Sequence, residues 1–314
     1  MGRGSRRHQA RRRPVDGRDP HLVLGSASRR RRRSPERGPR QAADGQGVTT
    51  ALLAKQVAIV TGGGRGFGRA IADTLAALGA NVVVASRNAP ELDEVANAIK
   101  KQGGKALAQT ADIADERQVQ ELVLATERWV GPPTILVNNA GVLDPIGPLV
   151  ETSGTMWLRN IAINVGGTYL ATRAVLPGML DRDYGRIVNI SSGAADRPSA
   201  GWSAYCAARA AVDQLTRVLA LEMEGSGVSV SAFHLGFMDT AMQERIRQST
   251  PEQFPRVEEL REAHRQGRVK DPHDPARVVA YLCLPATERN GAILEVGDAE
   301  VVGAAEAALP AATS

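Results

Sequence analysis

A tyrosine and an arginine four residues apart form the first pattern in this chain that suggests chemistry. Tyr205 and Arg209 lie in the segment SAYCAARAAV, which has the composition of a helix. Residues spaced i and i+4 share one helix face, about one turn apart. A free tyrosine phenol titrates near pH ~10, and a fixed positive charge beside it favours the ionised form. The pair is therefore a candidate proton donor with its own stabilising cation.

A glycine-rich turn is the second chemical pattern. The stretch TGGGRGFG follows the apolar run QVAIVT and opens the helical pattern GRAIADTLAALG. Glycines let the backbone approach a pyrophosphate there, while the helix N-terminus supplies free N–H groups. A tight structural turn is the alternative, but the position between a strand and a helix favours dinucleotide binding. The candidate cofactor-binding residues in this turn are Thr61, Gly62, Arg65, Gly66, Phe67 and Gly68.

The end of the next strand indicates which dinucleotide binds. The run NVVVAS ends at Ser86 and Arg87, with no acid there to accept a hydrogen bond from a ribose 2′-hydroxyl. Arg65 and Arg87 supply guanidinium groups that suit a 2′-phosphate, unless both are ordinary surface arginines. We therefore predict NADP rather than NAD. Asp112 and Ile113 follow the third strand and are expected at the adenine, with capping of the next helix as the alternative role of Asp112.

Short β-branched runs alternate with helical patterns from Gln56 onward. Strands are predicted over 56–61, 81–86, 185–191 and 228–235, and helices over 68–79, 90–103, 152–181 and 203–225. Continuous apolar strands imply a parallel sheet covered on both faces, and right-handed crossovers make it doubly wound. We predict one α/β Rossmann-type domain over residues 48–303, with a parallel sheet of about seven strands. A C-terminal tail is predicted over 304–314.

Residues 1–47 differ in composition from the rest of the chain. They hold 14 arginines, no lysine and four acids, a net charge of +10, whereas residues 48–314 hold 25 basic and 30 acidic residues. Apolar periodicity is absent, so this basic tail is predicted to be disordered. A nucleic-acid arm or targeting peptide is one interpretation. We favour an extension that is dispensable for folding, and expect no nucleic-acid partner, because no aromatic residues alternate with the arginines.

Composition also limits the class of protein. The two cysteines, Cys206 and Cys283, cannot form a disulfide framework or a metal cluster, which favours a reducing cytoplasm. His234 and His264 are not at metal-ligand spacing, so no metal is predicted and both are expected to be packing or surface residues. No apolar run reaches the ~20 residues of a membrane span, and the N-terminus lacks the apolar core of a signal peptide. We therefore expect no membrane partner.

Several motifs in a fixed order resemble the short-chain dehydrogenase/reductase family, from about Lys55 to Val302. TGGGRGFG is similar to the TGxxxGxG turn, NNAG to the strand-four motif, and INVGG and IVNISS to the motifs that precede the catalytic tyrosine. MDTAMQERIRQ and DPARVVAYLCL are further similar to the sepiapterin reductase-like and benzil reductase-like branch. The resemblance implies further cofactor contacts at Asn139, Ala140, Gly141, Tyr205, Arg209, Gly236 and Thr240.

The resemblance also implies an activity. It implies hydride transfer between NADP(H) and a small-molecule carbonyl or alcohol, with Ser192, Tyr205, Arg209 and Asn164 as the catalytic residues. Tyr205 would be the general acid and base, Ser192 would hydrogen-bond the substrate oxygen, and Asn164 would hold a water linked to solvent. Long helices that pair across a two-fold axis imply a homodimer or homotetramer.

Two departures from the family pattern leave two functions open. Arg209 replaces the lysine of the YxxxK motif, and Leu235 replaces the proline that usually precedes Gly236. Arginine keeps the positive charge and can donate two parallel hydrogen bonds, but it does not readily release a proton. The first function is an NADP-dependent carbonyl reductase or alcohol dehydrogenase. The second is a catalytically impaired NADP-binding sensor or partner subunit.

Overall fold

Parallel strands form the centre of the domain. The computed structural model describes residues 51–238, 240–268 and 271–311, so the predictions for residues 1–47 lie outside the described residues. The strands are β1 (Val57–Thr61), β2 (Asn81–Ser86), β3 (Lys105–Thr110), β4 (Ile135–Asn138), β5 (Gly185–Ser192), β6 (Val228–Leu235) and β7 (Ile293–Glu295). Within the described ranges they form one sheet in the order β3-β2-β1-β4-β5-β6-β7, and each pairing is parallel. The predicted doubly wound α/β fold is confirmed.

Helices connect the strands and cover both faces of the sheet. They are α1 (Gly66–Ala77), α2 (Ala89–Lys101), α3 (Glu116–Val130), α4 (Gly154–Ile161), α5 (Gly167–Asp181), α6 (Ser203–Glu222), α7 (Ala241–Arg247), α8 (Val257–Arg265), α9 (His273–Leu282) and α10 (Ala299–Ala308). No helix in the described ranges is both long enough and apolar enough to cross a membrane.

The apolar strands are buried on both sides because alternate residues point to opposite faces. On β1, Val60 belongs to the core cluster that contains Ile71 of α1, whereas Ile59 belongs to the cluster that contains Val175 of α5. The strands therefore read as continuous apolar runs rather than as alternating ones. This explains why the sheet could be predicted from sequence.

The helix predicted over 152–181 is two helices separated by a π-helical turn. Helix α4 ends at Ile161, the turn spans Ala162–Gly166, and α5 begins at Gly167. A π turn adds one residue to a helix and is frequent at functional sites. Asn164 lies in this turn with a fully buried side chain. Helical periodicity in the sequence gives no signal for one added residue.

The C-terminal boundary predicted at residue 303 is wrong. Helix α10 continues to Ala308, and Ala305 and Leu309 are buried in the same core cluster as Val301. Burial of these apolar side chains attaches the segment to the domain. Residues 304–309 therefore belong to the folded unit and are not a tail.

The segment between β6 and α9 packs over the end of the sheet. It contains α7 and α8, and its residues Phe254 and Val257 share a core cluster with Trp202 and Tyr205. The Trp202 and Phe254 rings stack with centroids 4.4 Å apart and planes 7° apart. Residues 240–268 are thereby attached to the start of α6.

Candidate active site

A cleft of about 1360 Å³ lies along the carboxyl ends of the strands. In a doubly wound sheet, ligands bind at this edge. Residues that follow β1, β2, β3, β4, β5 and β6 all contribute to it. The predicted residues that line the cleft are Gly62, Arg65, Gly66, Phe67, Gly68, Ser86, Arg87, Asp112, Ile113, Asn139, Ala140, Gly141, Ser192, Tyr205, Arg209, Gly236 and Thr240.

The turn after β1 depends on a close approach that only glycine permits. A Cβ added at Gly68 would lie 2.1 Å from the carbonyl oxygen of Gly62, far inside van der Waals contact. The first turn of α1 carries no acidic residue of its own, so its N–H groups and positive dipole end favour an anion. This geometry fits a pyrophosphate.

Thr61 acts beneath the cleft rather than on its surface. Its hydroxyl accepts hydrogen bonds from the backbone N–H groups of Asn139 and Ala140, at 3.0 and 3.1 Å. The Asn139 amide donates in return to the carbonyl oxygens of Thr61 and Gly62. Thr61 therefore joins the turns that follow β1 and β4, a positioning role that the sequence did not distinguish from direct cofactor contact.

The end of β2 carries positive charge at the cleft. Arg87 is exposed, and the Arg65 side chain is 70% exposed with Nη1 3.7 Å from a carboxylate oxygen of Glu91. Ser86 accepts a hydrogen bond from the backbone N–H of Asn88. Glu91 also lines the cleft, and the sequence analysis did not single it out. An exposed pair at this distance is weak, so Arg65 remains accessible to an anion.

Asp112 does not cap the following helix. Its carboxylate accepts a hydrogen bond from the backbone N–H of Ala114, while Asp115 caps α3 by accepting from the N–H groups of Arg117 and Gln118. Hydrogen bonds from Gln118 hold the pKa of the Asp115 carboxyl below its usual value. The capping alternative is therefore wrong, and Asp112 lies at the cleft beside Ile113.

The Arg209 guanidinium is buried at the centre of the site. Its Nη1 donates to the carbonyl oxygen of Ile190 at 2.8 Å, and its Nη2 donates to Oδ1 of Asn164 at 3.3 Å. Its Cζ lies 4.8 Å from the centroid of the Tyr205 ring, a cation–π contact. The predicted i and i+4 pair is therefore in contact, with the cation against the ring face.

One donor of Arg209 points to no partner. The side chain is 5% exposed, and its Nε is buried without a hydrogen-bond partner among the described residues. The ion pairs found within the described ranges include none to Arg209. A buried cation is costly unless it is hydrogen-bonded, so this group is suited to an oxygen-bearing ligand in the cleft.

Asn164 positions Arg209 and does not line the cleft. Its Oδ1 also accepts from the N–H of Val142 at 3.0 Å, and its Nδ2 donates to the carbonyl oxygen of Val142 and to Oδ1 of Asn160 at 2.8 and 2.7 Å. The backbone carbonyl of Asn164 accepts from the Thr168 hydroxyl. Both amide protons and both Oδ1 lone pairs are thus in use. The side chain of Asn164 therefore positions Arg209, and the water contact expected at this residue stays a prediction.

Ser192 and Tyr205 both face the cleft. The Ser192 hydroxyl accepts a hydrogen bond from the N–H of Ala194 at 3.2 Å, which leaves its proton free to bond an oxygen in the cleft. Tyr205 is 7% exposed, and its ring contacts Trp202 edge to face with centroids 5.7 Å apart. The tyrosine is therefore fixed between an aromatic ring and a guanidinium.

Sequence reasoning missed several residues of the site. Asn160 is fully buried and donates to the carbonyl oxygens of Val142, Leu143 and Asp144, so it anchors the loop after β4. Its spacing of four residues from Asn164 was the available signal. The cleft wall near Tyr205 gave no sequence signal because it comes from distant segments. Its further lining residues include Leu143, Arg197, Trp202, Met242, Ile246 and Arg256.

Comparison with known proteins agrees with this geometry. Residues 56–251 match the family described as short chain dehydrogenase. The chain is similar to a short chain dehydrogenase of Pseudocercospora fijiensis, with 36% identity over 240 residues that cover 74% of this chain and 77% of that protein. It is also similar to the 3-oxoacyl-[acyl-carrier-protein] reductase of Pseudomonas aeruginosa, with 32% identity over 238 residues that cover 73% and 90%.

A solved structure extends the similarity to the fold. The crystal structure of a dehydrogenase/reductase from Sinorhizobium meliloti superposes with a TM-score of 0.69 at 33% identity, and the match covers 79% of this chain and 96% of that one. The similarity therefore extends across most of the described domain.

The Arg209 guanidinium leaves no room for a side chain at position 141, and a substitution there tests this packing. A Cβ added at Gly141 would lie 2.5 Å from Nη2 of Arg209 and 2.6 Å from Oδ1 of Asn164, two atoms held by hydrogen bonds. We expect Gly141→Ala to lower the free energy of unfolding by about 1–3 kcal/mol, measured by urea denaturation. Gly303→Ala is the control, since Gly303 lies in α10 with open space around it. If Gly141→Ala and Gly303→Ala change the free energy of unfolding by the same amount relative to the parent, the packing described for Arg209 is contradicted.

Proposed function

The chain belongs to the short-chain dehydrogenase/reductase family of oxidoreductases, and we propose that it transfers hydride between NADP(H) and a carbonyl or alcohol carbon. The contact of Tyr205 with the buried Arg209 guanidinium at the cleft supports this most strongly. It provides a proton donor beside a permanent positive charge. The sepiapterin reductase-like and benzil reductase-like branch stays a prediction.

The cleft residues fit a dinucleotide along its whole length. The N-terminus of α1 suits the pyrophosphate, Arg65 and Arg87 suit a 2′-phosphate, and the Arg209 Nε suits a ribose oxygen. Asp112 and Ile113 lie where the adenine is expected. When bound, NADP(H) supplies or accepts the hydride. The end of β2 carries Ser86 and Arg87 and no acid, which supports NADP over NAD.

Side chains of the protein, rather than the cofactor, carry out the proton transfer. In the reductive direction the substrate oxygen gains negative charge, which the Ser192 hydroxyl stabilises by donating a hydrogen bond. The Tyr205 hydroxyl gives its proton to that oxygen, and the Arg209 charge favours the phenolate that remains. Asn164 and the Ile190 carbonyl hold the guanidinium in place.

The cleft near Tyr205 supports an apolar carbonyl compound as substrate. Leu143, Trp202, Met242 and Ile246 form the apolar part of this wall, which also holds Arg197 and Arg256, and the apolar part favours an apolar substrate body. The Pseudomonas aeruginosa relative is named as a reductase of a 3-oxoacyl group, which is itself a carbonyl compound. We propose carbonyl reduction as the direction to assay first.

One observation favours the alternative of an impaired NADP-binding sensor or partner subunit. Arg209 has donors committed to Ile190 and Asn164, and a guanidinium does not pass protons as an ammonium group does. The chain then binds the cofactor but regenerates the Tyr205 proton slowly. The two functions differ in turnover and agree in NADP binding.

Exposed apolar residues support a homodimer or homotetramer. Leu158, Tyr169, Val218 and Leu221 lie on α4, α5 and α6 with 65, 49, 40 and 67% of their surface exposed. These helices are the ones that the family resemblance implies pair across a two-fold axis, and contiguous exposed apolar surface is typical of such interfaces. The two cysteines are free, which supports a reducing cytoplasm as the location.

The cofactor proposal predicts an effect of charge at position 87. NADPH should bind more tightly than NADH, and Arg87→Asp should reverse this preference, because a carboxylate repels the 2′-phosphate and accepts a bond from a 2′-hydroxyl. We expect the ratio of dissociation constants to change by about 10–100-fold, measured by fluorescence titration. Arg128→Asp, at an exposed position of α3, is the control. Equal affinity of the parent for both cofactors would contradict NADP preference.

The proton-donor proposal is tested at Tyr205. Tyr205→Phe keeps the ring against Trp202 and Arg209 but removes the hydroxyl. We expect NADPH-dependent reduction of a panel of carbonyl compounds to fall by about 10²–10⁴-fold while NADPH affinity stays unchanged. Tyr169→Phe, at an exposed site on α5, controls for loss of a phenol elsewhere. A Tyr205→Phe variant as active as the parent would show that another group gives the proton.

A further inference from the structure

Four titratable side chains outside the proposed reaction meet beside the carboxyl end of β6. His234 lies on β6, Asp213 on α6, Asp196 after the turn that follows β5, and Glu295 at the end of β7. His234 and Asp213 are each 2% exposed, whereas the side chains of Asp196 and Glu295 are 64 and 52% exposed. A buried imidazole therefore faces two carboxylates that solvent can reach.

The hydrogen bond to Asp213 fixes the orientation of the imidazole. His234 Nε2 lies 2.6 Å from Oδ2 of Asp213. A carboxylate only accepts hydrogen bonds, so Nε2 donates to Asp213, and Nδ1 is the ring nitrogen that remains for a ligand. Nδ1 is buried and has no hydrogen-bond partner in the described ranges. It lies 3.9 Å from Oδ2 of Asp196 and 3.9 Å from Oε1 of Glu295.

We propose that His234 Nδ1, Asp196 and Glu295 bind a divalent transition-metal cation, with Asp213 orienting the imidazole. Two carboxylates that face an unpartnered ring nitrogen favour a cation placed between the three groups. Imidazole nitrogen and carboxylate oxygen are ligands of Zn²⁺, at about 2.0–2.2 Å. A carboxylate that holds the other ring N–H of a metal-binding histidine is a common arrangement.

The separations of His234 Nδ1 from the two carboxylates require only a small contraction, whereas the carboxylates of Asp196 and Glu295 must also turn toward each other. Ligand atoms about 2.1 Å from a tetrahedral ion are separated by roughly 3.4 Å, which is shorter than the two 3.9 Å separations. The exposed side chains of Asp196 and Glu295 can close this gap by rotation. Arg197 now lies 3.3 Å from Glu295 and partly balances the carboxylates. An exposed pair of this kind is weak, so a divalent ion can displace it.

The cation would join three segments at the edge of the active site. Asp196 directly follows the turn Gly193–Ala195, whose N–H of Ala194 positions the Ser192 hydroxyl. Binding there connects this turn to β6 and β7. The spacing of the ligands along the chain gave no metal signal, because the parallel sheet brings them together from separate elements. The inference is independent of the proposed reaction.

Calorimetric titration of the full chain with Zn²⁺ tests the site. Asp196→Asn removes an exposed ligand, and we expect it to weaken Zn²⁺ binding at least about tenfold. The control is Asp93→Asn, an exposed acid on α2 at the opposite side of the sheet, for which we expect unchanged affinity. Mg²⁺ is expected not to compete, because it prefers octahedral oxygen ligands.

A second variant tests the imidazole. His234→Gln keeps an amide N–H that can reach Asp213 but lacks the Nδ1 lone pair, so it should lose Zn²⁺ binding as well. If the buried variant His234→Gln does not fold, the Zn²⁺ affinity of Asp196→Asn alone tests the proposed site. The proposal is overturned if the parent does not bind Zn²⁺, or if Asp196→Asn binds it as tightly as the parent. Neither result depends on catalytic activity, so failure here leaves the proposed reaction separately testable.

Discussion

The buried positive charge of Arg209 is the constraint on which the geometry of the site depends. No carboxylate within the described ranges forms an ion pair with it, so the guanidinium is stabilised by the Ile190 carbonyl, the Asn164 amide and the Tyr205 ring. A cation removed from water needs such partners, because an unpaired buried charge is strongly destabilising. These contacts fix α6 against β5 and the turn before α5. Tyr205 and Arg209 are consequently held in contact with each other.

Other features of the site follow from accommodating this large planar group. The π turn places Asn164 so that its Oδ1 accepts hydrogen bonds from both Arg209 Nη2 and the Val142 N–H. The Oδ1 of Asn160 in turn accepts a hydrogen bond from Nδ2 of Asn164. Gly141 leaves the space that a side chain would take from the guanidinium. Arginine in place of lysine therefore occupies a matched environment. That environment supports a retained electrostatic role and does not support proton relay through the side chain.

The sheet and the cofactor turn could be predicted because their signals are local. Residues 81–86 form a largely apolar run. Gly68 is required because its backbone lies against the carbonyl oxygen of Gly62 in the same glycine-rich segment. Other features depend on distant contacts and gave no such signal. Phe254 reaches Trp202 only through folding, Leu309 is buried by packing that composition does not reveal, and the role of Asn164 depends on one added residue in a helix. Sequence motifs thus predicted residues that line the cleft, and tertiary packing sets the contacts that each side chain makes.

The most direct test of this account is a single-turnover measurement of carbonyl reduction, with NADPH affinity measured alongside, for the parent, Arg209→Lys and Arg209→Met. The account predicts that Arg209→Lys keeps NADPH binding and reacts faster, because an ammonium group restores proton passage. It predicts that Arg209→Met loses both affinity and rate, because the charge and its hydrogen bonds disappear together. An Arg209→Met variant that binds NADPH and reduces substrate as the parent does would contradict the central role of this charge.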